Sequence, residues 1–298
     1  MRAGWIALMI LLPLQVAAVD TQYLQGLRDM HYERVESEAI GRAYHVYTML
    51  PESYAAGSEK RYPTIYVLDG GLLFPLVVGY YRYLRIADET REAIIVGISY
   101  GSDSFEGGNY RSTDFTAPSD ERDYWGGAGQ FQAFLENELI PQTEKRYRSD
   151  ASRRILFGHS LGGQFVLFSA QTKPALFWGH IASNPALHRN LDFFLSQQPE
   201  SKSNSRVFVA SGTLDDEVFR APLLSWADHW RTVELKPWDL NIIDLEGHTH
   251  ISAMPAAFRR GLSWLYDVDS SPRKPELARQ SLQFTVEESP GSFGQGAR

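Results

Sequence analysis

The chain has 298 residues, 43% of them hydrophobic, a net charge of −7 and no cysteine. Such a length and apolar content allow one or two domains with a large buried core. The acidic balance argues against nucleic acid or anionic lipid as partners, and the missing cysteine removes disulfides, thiolate nucleophiles and cysteine metal sites.

At the start, Arg2 precedes an apolar run from Trp5 to Leu14, and Gln15-Val16-Ala17-Ala18 follow. A short basic start, about ten apolar residues and small side chains before a cut after Ala18 are expected of a signal peptide over residues 1–18. The run is too short to span a bilayer and contains Pro13, so stable membrane insertion is not expected. No cysteine follows for a lipid anchor. The expectation is an exported protein, periplasmic or secreted.

Apolar strand-like runs then alternate with helical patterns. Ala43–Leu50, Thr64–Leu68, Ala93–Ser99, Ile155–Phe157, His180–Ser183, Val207–Ser211 and Asn241–Leu245 are short and rich in β-branched or aromatic residues, and are predicted strands. Gly127–Tyr147, Leu161–Gln171, Ala221–Val233 and Ser252–Tyr266 repeat apolar residues every three or four positions and are predicted helices, with Pro141 expected to kink or end the first. Residues 101–127 have no clear period and are predicted as a long loop of the kind that often carries function. This alternation predicts an α/β fold, a mostly parallel sheet with helices on both faces, over residues 19–267. Residues 268–298 lose the apolar pattern and are predicted as a flexible tail.

Within Arg154–Gly163, RILFGHSLGG, a strand runs into Gly-His-Ser-Leu-Gly and a helix follows. At the C-terminal end of a parallel strand, a serine on a sharp turn presents its Oγ to the ligand crevice. Side chains at Gly158 and Gly162 are expected to collide with the neighbouring backbone. The Leu161 N–H, at the helix start, would face a developing oxyanion. The pentapeptide alone arises by chance in about one chain in ten of this length. The strand before it, the helix after it and the surrounding sheet make Ser160 the candidate nucleophile.

α/β-Hydrolases supply the other triad members in the order Ser, acid, His. Five of the eight histidines precede the place of the acid, and His229 lies mid-helix between Asp228 and Trp230. His250 is the favoured base and His248 the alternative. The two could hold a metal, but no third ligand cluster accompanies them. Asp215, three residues after Gly212, leads as the acid in SGTLDDEVF, and Asp216 is its alternative; a solvated acidic loop tip is the plain reading of the same stretch. In YVLDGGLLF, Gly70-Gly71 follow the Thr64–Leu68 strand, and the Gly71 N–H is the candidate second oxyanion donor. No metal or organic cofactor is implied.

Together, several spaced blocks resemble the "putative esterase" (esterase D-like) family of α/β-hydrolases, and most nearly its ferric-enterobactin esterases, which open trilactone siderophores. The blocks are YPTIYVLDGGLLF; VGISY followed by Arg111-Ser112-Thr113-Asp114-Phe115-Thr116 and Pro118; GG…FQAFLENELIPQTEKRY; RILFGHSLGGQFVLF; and HISAMPAAFRRGL. They cover about Ala43 to Tyr266. The resemblance implies an α/β-hydrolase fold and serine-dependent hydrolysis of a small-molecule ester, such as a ferric catecholate siderophore. Its His-x-Ser-x-x-Pro spacing favours His250 over His248, and the mycolyltransferase relatives place the oxyanion N–H at Gly71. One departure is Ser183-Asn184-Pro185-Ala186-Leu187-His188, where siderophore esterases usually carry Ser-Pro-Ser-Leu-Trp-Trp beside the cleft. Arg111 is a candidate for binding an anionic substrate, and an Arg111–Asp114 ion pair is its plain alternative. Arg82 and Arg85, near the first oxyanion loop, are candidates of the same kind. Esters of feruloyl or acetyl groups on carbohydrate are the alternative substrates, and a non-catalytic binding protein of the same fold is the third reading.

Overall fold

In a sheet covered on both faces, successive residues of one strand enter opposite halves of the core. Ile65 and Val67 of β3 (Tyr62–Val67) pack on one side and Tyr66 on the other, while Ile155 and Phe157 of β5 (Ser149–His159) are split in the same way from Leu156. The computed structural model describes residues 27, 29–54, 58–196 and 203–267. The expected signal peptide and C-terminal tail lie outside the described residues.

Among the described residues, eight strands form one sheet. Besides β3 and β5 these are β1 (Met30–Ser37), β2 (Arg42–Met49), β4 (Ile94–Ser99), β6 (Gly179–Ser183), β7 (Arg206–Gly212) and β8 (Asp239–Leu245), in the order β1-β2-β4-β3-β5-β6-β7-β8. From β4 to β8 all neighbours are parallel, and β2 pairs antiparallel with both β1 and β4. The seven expected strands are present. The eighth, β1, was not expected: the charged Glu33, Arg34 and Glu36, the last two exposed, break any apolar pattern, and its pairing with β2 defines it.

Helices α1 (Gly70–Ile86) and α8 (Ala253–Leu265) cover one face, where Phe74, Val77, Phe258 and Leu262 meet Ile65, Ile155 and Phe208. The other face is covered by α3 (Ala128–Phe134), α4 (Ile140–Arg146), α5 (Leu161–Thr172), α6 (Leu191–Ser196) and α7 (Glu217–Thr232). The helix expected over 127–147 is two α-helical pieces joined by a π-helical turn, Leu135–Leu139. Pro141 follows that turn, so the wider winding falls where an N–H is missing from the ladder.

Helix α1 is the largest departure from expectation. Two opening glycines, Pro75 and Gly79 lower its helical propensity, yet Leu73, Phe74, Val77, Val78, Tyr81 and Leu84 form a buried stripe at helical spacing. Its start is bound to this place by steric need: a Cβ on Gly70 would lie 2.5 Å from the Ile98 nitrogen of β4. Within the expected loop 101–127, Arg111–Asp114 forms one short helix, α2.

Candidate active site

Parallel neighbours end at the same edge of the sheet, so the segments after β3, β5, β6, β7 and β8 converge there. Ser160 follows β5 and holds φ 57° and ψ −117°, a conformation that a non-glycine residue keeps only when its surroundings enforce it. Three backbone bonds do so. The Ser160 N–H donates to the Ser183 carbonyl at 2.9 Å, and its own carbonyl accepts from the Gln164 and Ala186 N–H groups, each at 3.0 Å.

The close approaches fall partly elsewhere than expected. A Cβ on Gly158 would sit inside the Gly162 carbonyl, so that glycine is required. A Cβ on Gly162 would make ordinary contact, 3.4 Å from the Leu68 Cβ, whereas one on Gly163 would come within 3.0 Å of the Pro185 Cα and the Ser183 carbonyl. The second tight position is therefore Gly163, where α5 meets the loop after β6.

Asp215, after β7, accepts from the His250 Nδ1 with both carboxylate oxygens, at 3.0 and 2.9 Å. The Asn184 Nδ2 donates to its Oδ2 at 2.5 Å, and the Asp216 N–H to its Oδ1 at 2.8 Å. The Asp215 side chain is 1% exposed, so these donors replace water around a buried charge. Asp216 faces another way and caps α7, accepting from the Val218 N–H at 3.2 Å. His248 also turns aside, with its Nδ1 2.9 Å from the Ser252 carbonyl. The two histidines thus have different partners. Among the described residues no group of three or more His, Asp or Glu side chains is placed to hold a metal ion.

The His250 ring lies between two others. Phe219 stacks on it at 4.4 Å, and the His159 ring, one residue before Ser160, is 4.8 Å away. With Nδ1 donating to a carboxylate, Nε2 is the nitrogen left as base. Burial, and then the nearness of His250, push the His159 pKa down to about 4. His159 therefore stays neutral beside the base, its Nδ1 3.1 Å from the Ser183 Oγ.

The two candidate oxyanion donors lie at helix starts. Leu161 is the first residue of α5 and Gly71 the second of α1. The turns touch: a Cβ on Gly162 would be 3.5 Å from the Asp69 Oδ2. Helix N-termini present unpartnered N–H groups and a partial positive charge, which suits an oxyanion.

Arg111 does not pair with Asp114. Its Nε and Nη2 bond the two Asp69 oxygens at 2.7 and 2.9 Å. Burial lowers the guanidinium pKa and the Asp69 bonds outweigh it, leaving a net rise. Asp114 is instead buried under Arg42, Tyr44 and Tyr100, which donate to it at 2.8, 2.8 and 3.0 Å. Burial raises its pKa against the opposing effects of all three. Arg82 and Arg85 lie toward the far end of α1, where Arg82 faces Asp29 and Glu52, and Arg85 meets Asp88 and the Thr90 carbonyl. Twelve residues of helix, roughly 18 Å, separate Arg82 from Gly70.

Asn184, Asp69 and Phe219 join the site without a local sequence signal for these roles. Asn184 has φ 42°, a left-handed position that asparagine tolerates, but its part in the site depends on β6 lying beside β7.

A family model described as "Putative esterase" matches residues 37–239. The chain belongs to that family. It is 34% identical over 206 residues to the ferri-bacillibactin esterase BesA of Bacillus subtilis, covering 61% of this chain and 69% of that one. It is 30% identical over 179 residues to the apo-salmochelin esterase of Escherichia coli, covering 56% and 55%. The crystal structure of the BES protein from Bacillus cereus superimposes with a TM-score of 0.66 at 27% identity, over 84% of this chain and 98% of that one. The fold is that of the α/β-hydrolases, and the family member is a carboxylic ester hydrolase.

Proposed function

We propose that the chain is an exported serine esterase that opens siderophore lactones of the enterobactin type through an acyl-enzyme. The observation that carries this reading is the Asp215–His250 pair set against the elbow at His159-Ser160. His250 takes the Ser160 proton as Oγ attacks the ester carbonyl. The oxyanion rests on the Leu161 and Gly71 N–H groups, each contributing about 3–4 kcal/mol to the transition state. Collapse expels the alcohol, which takes the proton from His250. Water, activated by the same imidazole, then releases the acid.

Siderophore esters are supported by the names of the curated relatives, and export by the pattern of residues 1–18. The Ser183–His188 stretch, which departs from the siderophore-esterase pattern, supports a second reading, an exported esterase for feruloyl or acetyl esters of carbohydrate. In the Ser160→Ala variant, kcat for p-nitrophenyl butyrate is expected to fall by on the order of 10⁶-fold, with the oxyanion donors leaving a small residual rate; unchanged turnover would remove Ser160 as nucleophile. Turnover of ferric enterobactin well above that of feruloyl and acetylated sugar esters is expected, and the reverse order favours the second reading.

A further inference from the structure

Asp69 is the N-cap of α1, with φ 53° and ψ 38°. An aspartate at an N-cap can turn its carboxylate onto the N–H of the second or third helical residue, most often from extended dihedrals rather than the left-handed ones that Asp69 holds. In α1 these are Gly71 and Leu72. The Leu72 N–H donates to the Asp69 carbonyl at 3.0 Å, and the Gly71 N–H is the one that the proposed mechanism needs for the oxyanion. Self-capping would therefore consume a catalytic donor. It would also set a full negative charge where negative charge must develop.

The Asp69 side chain makes no such bond to its own helix. Arg111 holds both its oxygens in a bidentate grip, a geometry that fixes the carboxylate in direction as well as in charge. Arg111 is itself anchored. Its N–H donates to the Asn109 Oδ1 at 3.1 Å, its guanidinium lies 5.9 Å from the centre of the Phe115 ring, and α2 is tied to the core through the buried Asp114.

We propose that Arg111 is a positioning residue: it holds the Asp69 carboxylate off the start of α1, which leaves the Gly71 N–H to the oxyanion and neutralises a charge beside the elbow. The proposal rests on the esterase reading of Gly71 as an oxyanion donor. It differs from a direct role in which Arg111 binds an anionic substrate, because it predicts an effect on a neutral ester, and on kcat.

The test compares wild type, Arg111→Gln and the double variant Asp69→Gly/Arg111→Gln, in which glycine suits the left-handed turn and no carboxylate remains. With p-nitrophenyl butyrate, Arg111→Gln is expected to lower kcat by about 10- to 100-fold with KM nearly unchanged, and the double variant to recover most of the loss. In 15N-glycine-labelled protein, the Gly71 amide proton should move downfield in Arg111→Gln and return in the double variant. A higher KM at constant kcat, or a double variant as slow as the single, would overturn the proposal. So would a Gly71 amide that does not move. A wild-type protein inert toward esters would sink the esterase reading instead, and the amide shift would still decide whether Arg111 controls the Asp69 carboxylate.

Discussion

Asp215 and Asp216 are adjacent and chemically alike, yet their surroundings give them separate tasks. Asp215 is buried and receives His250, Asn184 and a backbone N–H, while Asp216 is exposed and caps α7. Asp215→Asn is expected to leave the fold intact and lower kcat on the order of 10⁴-fold, because an amide favours the wrong imidazole tautomer. Asp216→Ala should keep kcat within a few-fold of wild type but lose about 1 kcal/mol of stability with the cap. Asn184→Ala removes one charge-assisted bond, and a kcat loss on the order of tenfold is expected. Steady-state kinetics and denaturant titration of the three variants check these outcomes together. The pair also marks how far the sequence could go: the carboxylates were legible as a candidate set, but which one meets His250 depends on the turn after β7.

At the scale of the element, the elbow depends on backbone meeting backbone. Gly158 faces the Gly162 carbonyl, and no rotamer change can relieve a Cβ placed there. Gly158→Ala is expected to lower Tm sharply or prevent soluble expression. Gly162→Ala meets only ordinary contacts in a helix, so Tm should hold or rise by about 2–4 °C. Scanning calorimetry of both variants separates the positions, and equal losses would contradict the geometry. The strands and the long helices were readable because apolar period reports burial directly. Helix α1 was hidden by its glycines and Pro75, although its stripe from Leu73 to Leu84 carried the signal. Strand β1, at the edge with only Val35 and Ser37 buried, carried none.

For the whole molecule, a fully buried histidine makes stability depend on pH. His180 lies in β6 with its ring edge against Phe177, and burial pushes its pKa down to about 3 against a smaller opposing effect of the Arg206 backbone. Its ordinary value is 6.5. Below that pH the unfolded chain binds a proton that the folded chain refuses until about pH 3, so stability falls as the pH drops through this window and is regained as it rises. His159, with its pKa near 4, adds a slope of the same sign. Thermal unfolding from pH 7 to pH 4 should show Tm falling, and His180→Leu should flatten part of the fall. An unchanged slope in that variant would show that His180 does not carry it.

The sequence by itself determined the α/β alternation, the elbow serine and a short list of acids and bases, because period, glycine spacing and chain order are local or one-dimensional properties. Only the tertiary structure decided that Asp215 rather than Asp216 meets His250, that Gly163 rather than Gly162 is the second tight glycine, and that Arg111 pairs with Asp69 rather than Asp114. Each of these depends on which strand ends lie side by side at one edge of the sheet. Sheet order brings together residues that are tens of positions apart in the chain, and no local pattern records that distance.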